Sequence, residues 1–171
     1  MFTAKWDTDG GHDIVKLEGA QQEVRIMPVN GFNFYFWAYD GQQIMMETTT
    51  APLCSTKHGT PILFPMPNRV RDAVYRWNGE EKTLTKRGEK VPCHGLVRDE
   101  AFTVTDMGAD DEHAYCTACI RIAPGDGLYE GYPFACCLSV TYALSAQGVR
   151  MDAQITNEGM ELMPFGLALH P

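Results

Sequence analysis

The stretch EVRIMPVNGFNFYFWAYDGQQIMM, Glu23 to Met46, decides the fold class. In it, β-branched and aromatic residues gather into Glu23 to Val29 and Phe32 to Tyr39, with Gln43 to Met46 following, and two dipeptides, Asn30-Gly31 and Asp40-Gly41, stand between the runs. Both dipeptides tolerate the positive φ angles of tight hairpin turns, so the segment predicts a meander of antiparallel strands. Working outward, Ile14 to Leu17 reads as a strand before it. Val74 to Trp77 and Lys82 to Thr85 flank another turn pair, Asn78-Gly79, and Phe102 to Thr105, Ala114 to Ile122, Phe134 to Leu144, Val149 to Thr156 and Leu162 to Leu169 continue the pattern. No long helical stripe interrupts it. About ten strands are more than one flat sheet holds comfortably, so the expectation is an all-β antiparallel β-sandwich. Thr50 to Arg71 carries Pro52, Pro61, Pro65 and Pro67 and reads as loop or sheet edge, because proline cannot donate to a ladder.

The chain has 171 residues, one domain's worth, and is 44% hydrophobic and 21% charged, which is globular composition and excludes a disordered or collagenous chain. No linker or repeat divides residues 1–171, so they read as a single unit. A net charge of -8 repels phosphate backbones and anionic headgroups, which argues against nucleic-acid and membrane partners. Met1 to Asp13 lacks the basic start and apolar run of a signal peptide, and no apolar stretch has the length of a membrane span; the expected location is cytoplasmic. The six cysteines fit reduced thiols, with the neighbours Cys136 and Cys137 on opposite faces of a strand. Cys116 and Cys119 have zinc-knuckle spacing and His113 precedes them. However, they lie in a strand-forming run without a second such pair, so no metal is expected.

Three places put polar chemistry into Pro/Gly-rich segments, where a β scaffold tends to carry function. Asn68 and Arg69 follow Pro65 and Pro67, and the arginine fork suits hydroxyls or carboxylates. His94 sits between Pro92 and Gly95. His170 ends the apolar run from Met163.

Taken in order, these segments resemble the aldose 1-epimerases, or galactose mutarotases. Pro61-Ile62-Leu63-Phe64-Pro65 leads to Asn68-Arg69-Val70, then Gly79 to Leu84, then His94-Gly95-Leu96-Val97-Arg98. The similarity resumes at Leu138 to Leu144, passes Thr156-Asn157-Glu158-Gly159 and closes on Met163-Pro164-Phe165-Gly166 with His170-Pro171. It runs from about Asn30 onward. The resemblance implies the galactose mutarotase-like supersandwich, of which this chain would be the N-terminal portion. It also implies interconversion of the α and β anomers of a free aldohexose by ring opening, with His170 as the acid at the ring oxygen. His94 and Arg69, with Asn68 beside them, would bind the sugar hydroxyls. Opening a hemiacetal is proton transfer alone, so no cofactor is implied, and histidine suits the task because its ordinary pKa lies near neutrality.

One departure matters. The family's glutamate base and a sugar-binding aspartate lie beyond the last residue here, and neither Asp99 nor Glu100 matches them. The isolated chain is therefore expected to have little activity, and to self-associate or to pair with a chain carrying the C-terminal half. Two alternatives stand beside this reading. One is a non-catalytic carbohydrate-binding module. The other is a hexose-6-phosphate 1-epimerase, for which Arg69, Arg71, Lys86, Arg87 and Arg98 are the candidate phosphate cluster.

Overall fold

The computed structural model describes residues 1–46 and 58–171. Strands β1 (Thr3–Asp9), β2 (His12–Gly19), β3 (Gln22–Met27), β4 (Asn33–Tyr39) and β5 (Gln42–Gln43) form one antiparallel sheet in sequence order. Short elements follow: β6 (Ile62–Leu63), β7 (Val74–Trp77), β8 (Glu80–Thr83), β9 (Thr85–Lys86) and β10 (Glu89–Lys90). A second antiparallel sheet is built from β11 (Thr103–Ala109), β12 (His113–Ile122), β13 (Cys136–Ser145) and β14 (Gly148–Asn157), and β15 (Ala168–Leu169) returns to pair with β6. The expected all-β antiparallel sandwich is the observed class. The described residues contain no α-helix, and no helix long and apolar enough to cross a membrane.

Asp40-Gly41 (φ 49° and 74°) and Asn78-Gly79 (51° and 82°) turn their hairpins with both φ positive, as those residue types favour. Ala20-Gln21 does the same without a glycine, at 50° and 62°. Asn30-Gly31 departs from expectation. It lies within a longer connection, residues 28–32, that is tied to a segment remote in sequence: Gly31 donates to the Glu100 carbonyl at 2.6 Å and Phe102 donates to the Pro28 carbonyl at 2.9 Å. Gly31 has φ 71°, and a Cβ there would stand 2.1 Å from the Arg98 carbonyl oxygen, so this contact admits only glycine.

The core follows the two-residue period. On β12 and β13, Cys116, Ala118, Ile122, Cys136, Leu138, Val140, Tyr142 and Leu144 face inward and are buried, opposite Val15, Leu17, Val24 and Ile26 of the first sheet. The Tyr142 ring packs 5.3 Å from Phe32 and 5.6 Å from Phe34, joining the sheets. Each large side chain so buried contributes about 1.5–3 kcal/mol. Cys119 and Cys137 face outward and are half-buried, so the cysteines do divide between the two faces; the five described ones are free thiols, and Cys54 lies outside the described residues.

Several predicted boundaries shift. β1 falls in a segment not read as a strand, because most of it is exposed and lacks an apolar face. Gln43 to Met46 shrinks to the pair β5, and of Leu162 to Leu169 only β15 forms ladder bonds. Pro164 cannot donate, and Leu162 and Phe165 of that run are 78% and 53% exposed. The proline-rich segment contains β6; its positions 50–57 lie outside the described residues. Along β14, Val149, Met151, Ala153 and Ile155 stand opposite the buried Leu144, Tyr142, Val140 and Leu138, yet all four keep contact with solvent. Among the described residues the outer edge of β14 pairs with no strand.

Candidate active site

Two residues of strand organise this region. Ile62 and Leu63, buried on all sides, pair along one edge with Leu169 and Ala168, and His170 extends that pairing by donating its backbone N–H to the Pro61 carbonyl at 3.1 Å. Directly after β6, Phe64 bridges to Gly95, and the Leu96 N–H donates to the Phe64 carbonyl at 2.7 Å. Arg69 bridges to Cys93, flanked by a bond from Val70 to the Pro92 carbonyl (2.8 Å) and one from His94 to the Asn68 carbonyl (2.8 Å). Segments distant in sequence thus converge on one short strand.

That backbone delivers the side chains. The rings of His94 and His170 meet edge to face with centroids 5.1 Å apart. His94 is half-buried and its Nδ1 is fully buried with no hydrogen-bond partner among the described residues, whereas His170 is exposed. Burial, followed by the positive charges of Arg98, His170 and Arg69, lowers the His94 pKa below its ordinary 6.5, which favours the neutral ring at neutral pH. Asn68 (φ 64°) and His94 (φ 68°) both adopt the left-handed backbone region that non-glycine residues seldom enter, and they do so joined by a hydrogen bond.

The structure therefore brings Arg69, His94 and His170 together, with Asn68 on the same backbone bridge. It adds Arg98. Sequence reasoning held that residue only as the end of a motif and as part of a phosphate cluster, and its place in the motif that begins at His94 was the available signal. The five-cation cluster itself does not assemble as free charge. Arg87 grips Glu100 through both terminal nitrogens (2.7 and 2.6 Å), and Lys86 lies 2.5 Å from Asp99 and 2.6 Å from Glu100. Asp99 and Glu100 are thereby explained as ion-pair partners. Among the described residues, no three His, Cys, Asp or Glu side chains are grouped to hold a metal ion. What the arrangement offers is a neutral imidazole, an exposed imidazole and nearby guanidinium charge, a set suited to hydroxyl binding and proton transfer.

The family model for aldose 1-epimerase matches residues 43–171. The chain belongs to the aldose 1-epimerase family. Among curated relatives, the uncharacterized protein YihR of Escherichia coli K12 is 28% identical over 117 residues, 67% of this chain and 35% of that protein. The plasmid protein LacX of Lactococcus lactis is 30% identical over 114 residues, 65% and 35% respectively. A galactose mutarotase-like protein from Clostridium acetobutylicum superimposes with a TM-score of 0.87 at 19% identity, covering 99% of this chain and 53% of its own, which shows the shared fold. The chain spans about half the length of that structure, and its matches span about a third of the curated relatives.

Proposed function

We propose that this aldose 1-epimerase chain supplies the acid and the sugar-binding half of a site that interconverts the anomers of a free aldohexose. The observation that carries the reading is the contact between His94 and His170, brought from separate segments to β6 with Arg69 and Arg98 beside them. Ring opening needs a proton delivered to the ring oxygen and one removed from the C1 hydroxyl. His170, exposed at the end of β15, takes the acid role. His94, biased towards its neutral form by burial and then by its cationic neighbours, accepts or donates a hydrogen bond to a sugar hydroxyl, and Arg69 with Asn68 orients others. The base this reading requires is the glutamate that family resemblance places in a C-terminal half.

The outer edge of β14, unpaired among the described residues, the solvent-touched row Val149 to Ile155 and exposed Met160, Leu162 and Phe165 support pairing with strands of such a half, either as continuing chain or as a separate one. Polarimetry on freshly dissolved α-glucose or α-galactose tests the reading: slow mutarotation by the 171-residue chain and fast mutarotation once the C-terminal half is present. Equal rates with and without it would overturn the shared site. Arg69 and Arg98, which form no salt bridge among the described residues, also favour a phosphorylated aldose as a second reading, and the same assay with a hexose 6-phosphate distinguishes the two.

A further inference from the structure

The outer face of the second sheet carries chemistry unrelated to the histidine pair. Cys119 on β12 and Cys137 on β13 both point away from the core, half-buried, and are neighbours on that face. They are not direct cross-strand partners. Cys119 stands opposite Ser139, and Cys137 opposite Arg121, so the two are diagonal neighbours. The Arg121 guanidinium lies beside them, held by Glu158 at 2.8 Å and 64% exposed.

Diagonal placement decides what the pair can do. Diagonal neighbours on an antiparallel ladder lie about 7–8 Å apart, somewhat less between Cβ atoms, whereas a disulfide wants Cα atoms at about 4.4–6.8 Å. Closing one would require β12 to slip against β13. That slip is opposed by the unbroken register from His113↔Ser145 to Ile122↔Cys136 and by the Thr117–Thr141 hydroxyl bond (2.8 Å) next to the pair. Burial and the neighbouring thiol also raise the Cys137 pKa, which keeps it a poor nucleophile for disulfide exchange. A bridging atom removes the distance problem: a soft centre bonded to two sulfurs at roughly 2.3 Å each, as in zinc–thiolate bonds, holds them about 3.5–4 Å apart. With no third His, Cys, Asp or Glu grouped there among the described residues, the fitting centre is one satisfied by two sulfurs.

We infer that Cys119 and Cys137 form a two-sulfur clamp for a monosubstituted trivalent arsenical. The step is a condensation without redox change: two S–H bonds and the arsenic–oxygen bonds of R–As=O break, two As–S bonds form, and the oxygen leaves with both protons as one water. Cys116 and Cys136 face the core and cannot compete, and Cys93 sits apart on the Arg69 bridge.

Phenylarsine oxide is the probe, read by nondenaturing mass spectrometry and by protection of individual cysteines from iodoacetamide, mapped by peptide. One equivalent should bind per chain, protect Cys119 and Cys137 together and be stripped by a competing small dithiol. Cys119→Ser and Cys137→Ser should each weaken binding by about 10²-fold or more, the advantage of a second linked contact, while Cys93→Ser leaves it unchanged. Protection of the wild-type pair stands as a readout even where a serine variant fails to fold. Retained affinity in either serine variant, protection of other cysteines instead, or ready formation of a Cys119–Cys137 disulfide by diamide in the folded chain would overturn the clamp.

Discussion

Replacing Gly95 with alanine perturbs the join between β6 and His94 at its tightest point, and Gly79→Ala provides a matched control. Both glycines have positive φ, 72° and 82°, so both substitutions carry the left-handed backbone cost of about 1–2 kcal/mol. They differ in surroundings. A Cβ at Gly79 meets nothing within 4 Å, whereas one at Gly95 would lie 2.3 Å from the Phe64 carbonyl oxygen. The strands must part, and the 2.7 Å bond from Leu96 to that carbonyl is lost at a fully buried site. Leaving those groups unpaired adds about 1–3 kcal/mol. Urea unfolding with equal slopes should therefore show Gly95→Ala losing about 1–3 kcal/mol more than Gly79→Ala. Mutarotation in the presence of the C-terminal half should fall with Gly95→Ala alone, because His94 immediately precedes Gly95. Equal losses of stability from the two variants, or a Gly95→Ala variant as active as the parent, would refute the account of β6 as the organiser of the site.

Other outcomes follow from the same geometry. In the protein completed by its C-terminal half, His170→Ala should lower kcat by about 10²–10⁴-fold with little change in KM, whereas Arg69→Ala should chiefly raise KM; the reverse split would exchange their roles. His94 is held below its ordinary pKa in the fold, so the unfolded chain binds more protons around pH 6.5; stability should decline as pH falls through that value towards the folded pKa, and His94→Asn should flatten the decline in unfolding measured from pH 8 to 5. Glu100 is depressed first by Arg87, with burial opposing and Lys86 assisting. Its contribution is thus present above its ordinary 4.5 and lost as pH falls through the lowered value; Glu100→Gln should cost about 1 kcal/mol at pH 7 and less at pH 3 in the same assay. Light scattering after size exclusion should show self-associated chain that converts to a one-to-one complex when the C-terminal half is added.

What was legible in the sequence divides along physical lines. β7 was read to the residue, and Asp40-Gly41 and Asn78-Gly79 turned as expected, because local backbone preference decides a two-residue turn. β1 escaped because a mostly exposed edge strand shows no alternation to read, and Ala20-Gln21 because tertiary pairing of β2 with β3 imposes positive φ on residues that do not favour it. Asn30-Gly31 misled because its strands are separated by contacts to Glu100 and Phe102, far along the chain. For the site, residue types and flanking prolines and glycines marked Arg69, His94 and His170 as candidates. Their meeting on Ile62-Leu63 was not legible, since a two-residue strand between prolines carries no periodicity.

The pairing of β6 with β15 joins residues 62 and 169, and the Phe64–Gly95 bridge ties in the middle of the chain. Contacts so remote in sequence must repay loop-closure entropy before they contribute, and they tend to form late. The two hairpin sheets can condense from neighbours, but the histidines meet only when the last residues of this segment return to Ile62 and Leu63. Proximity of His94 to His170 is therefore a reporter of completed folding: a nascent or clipped chain can hold most of its strands and still have no site.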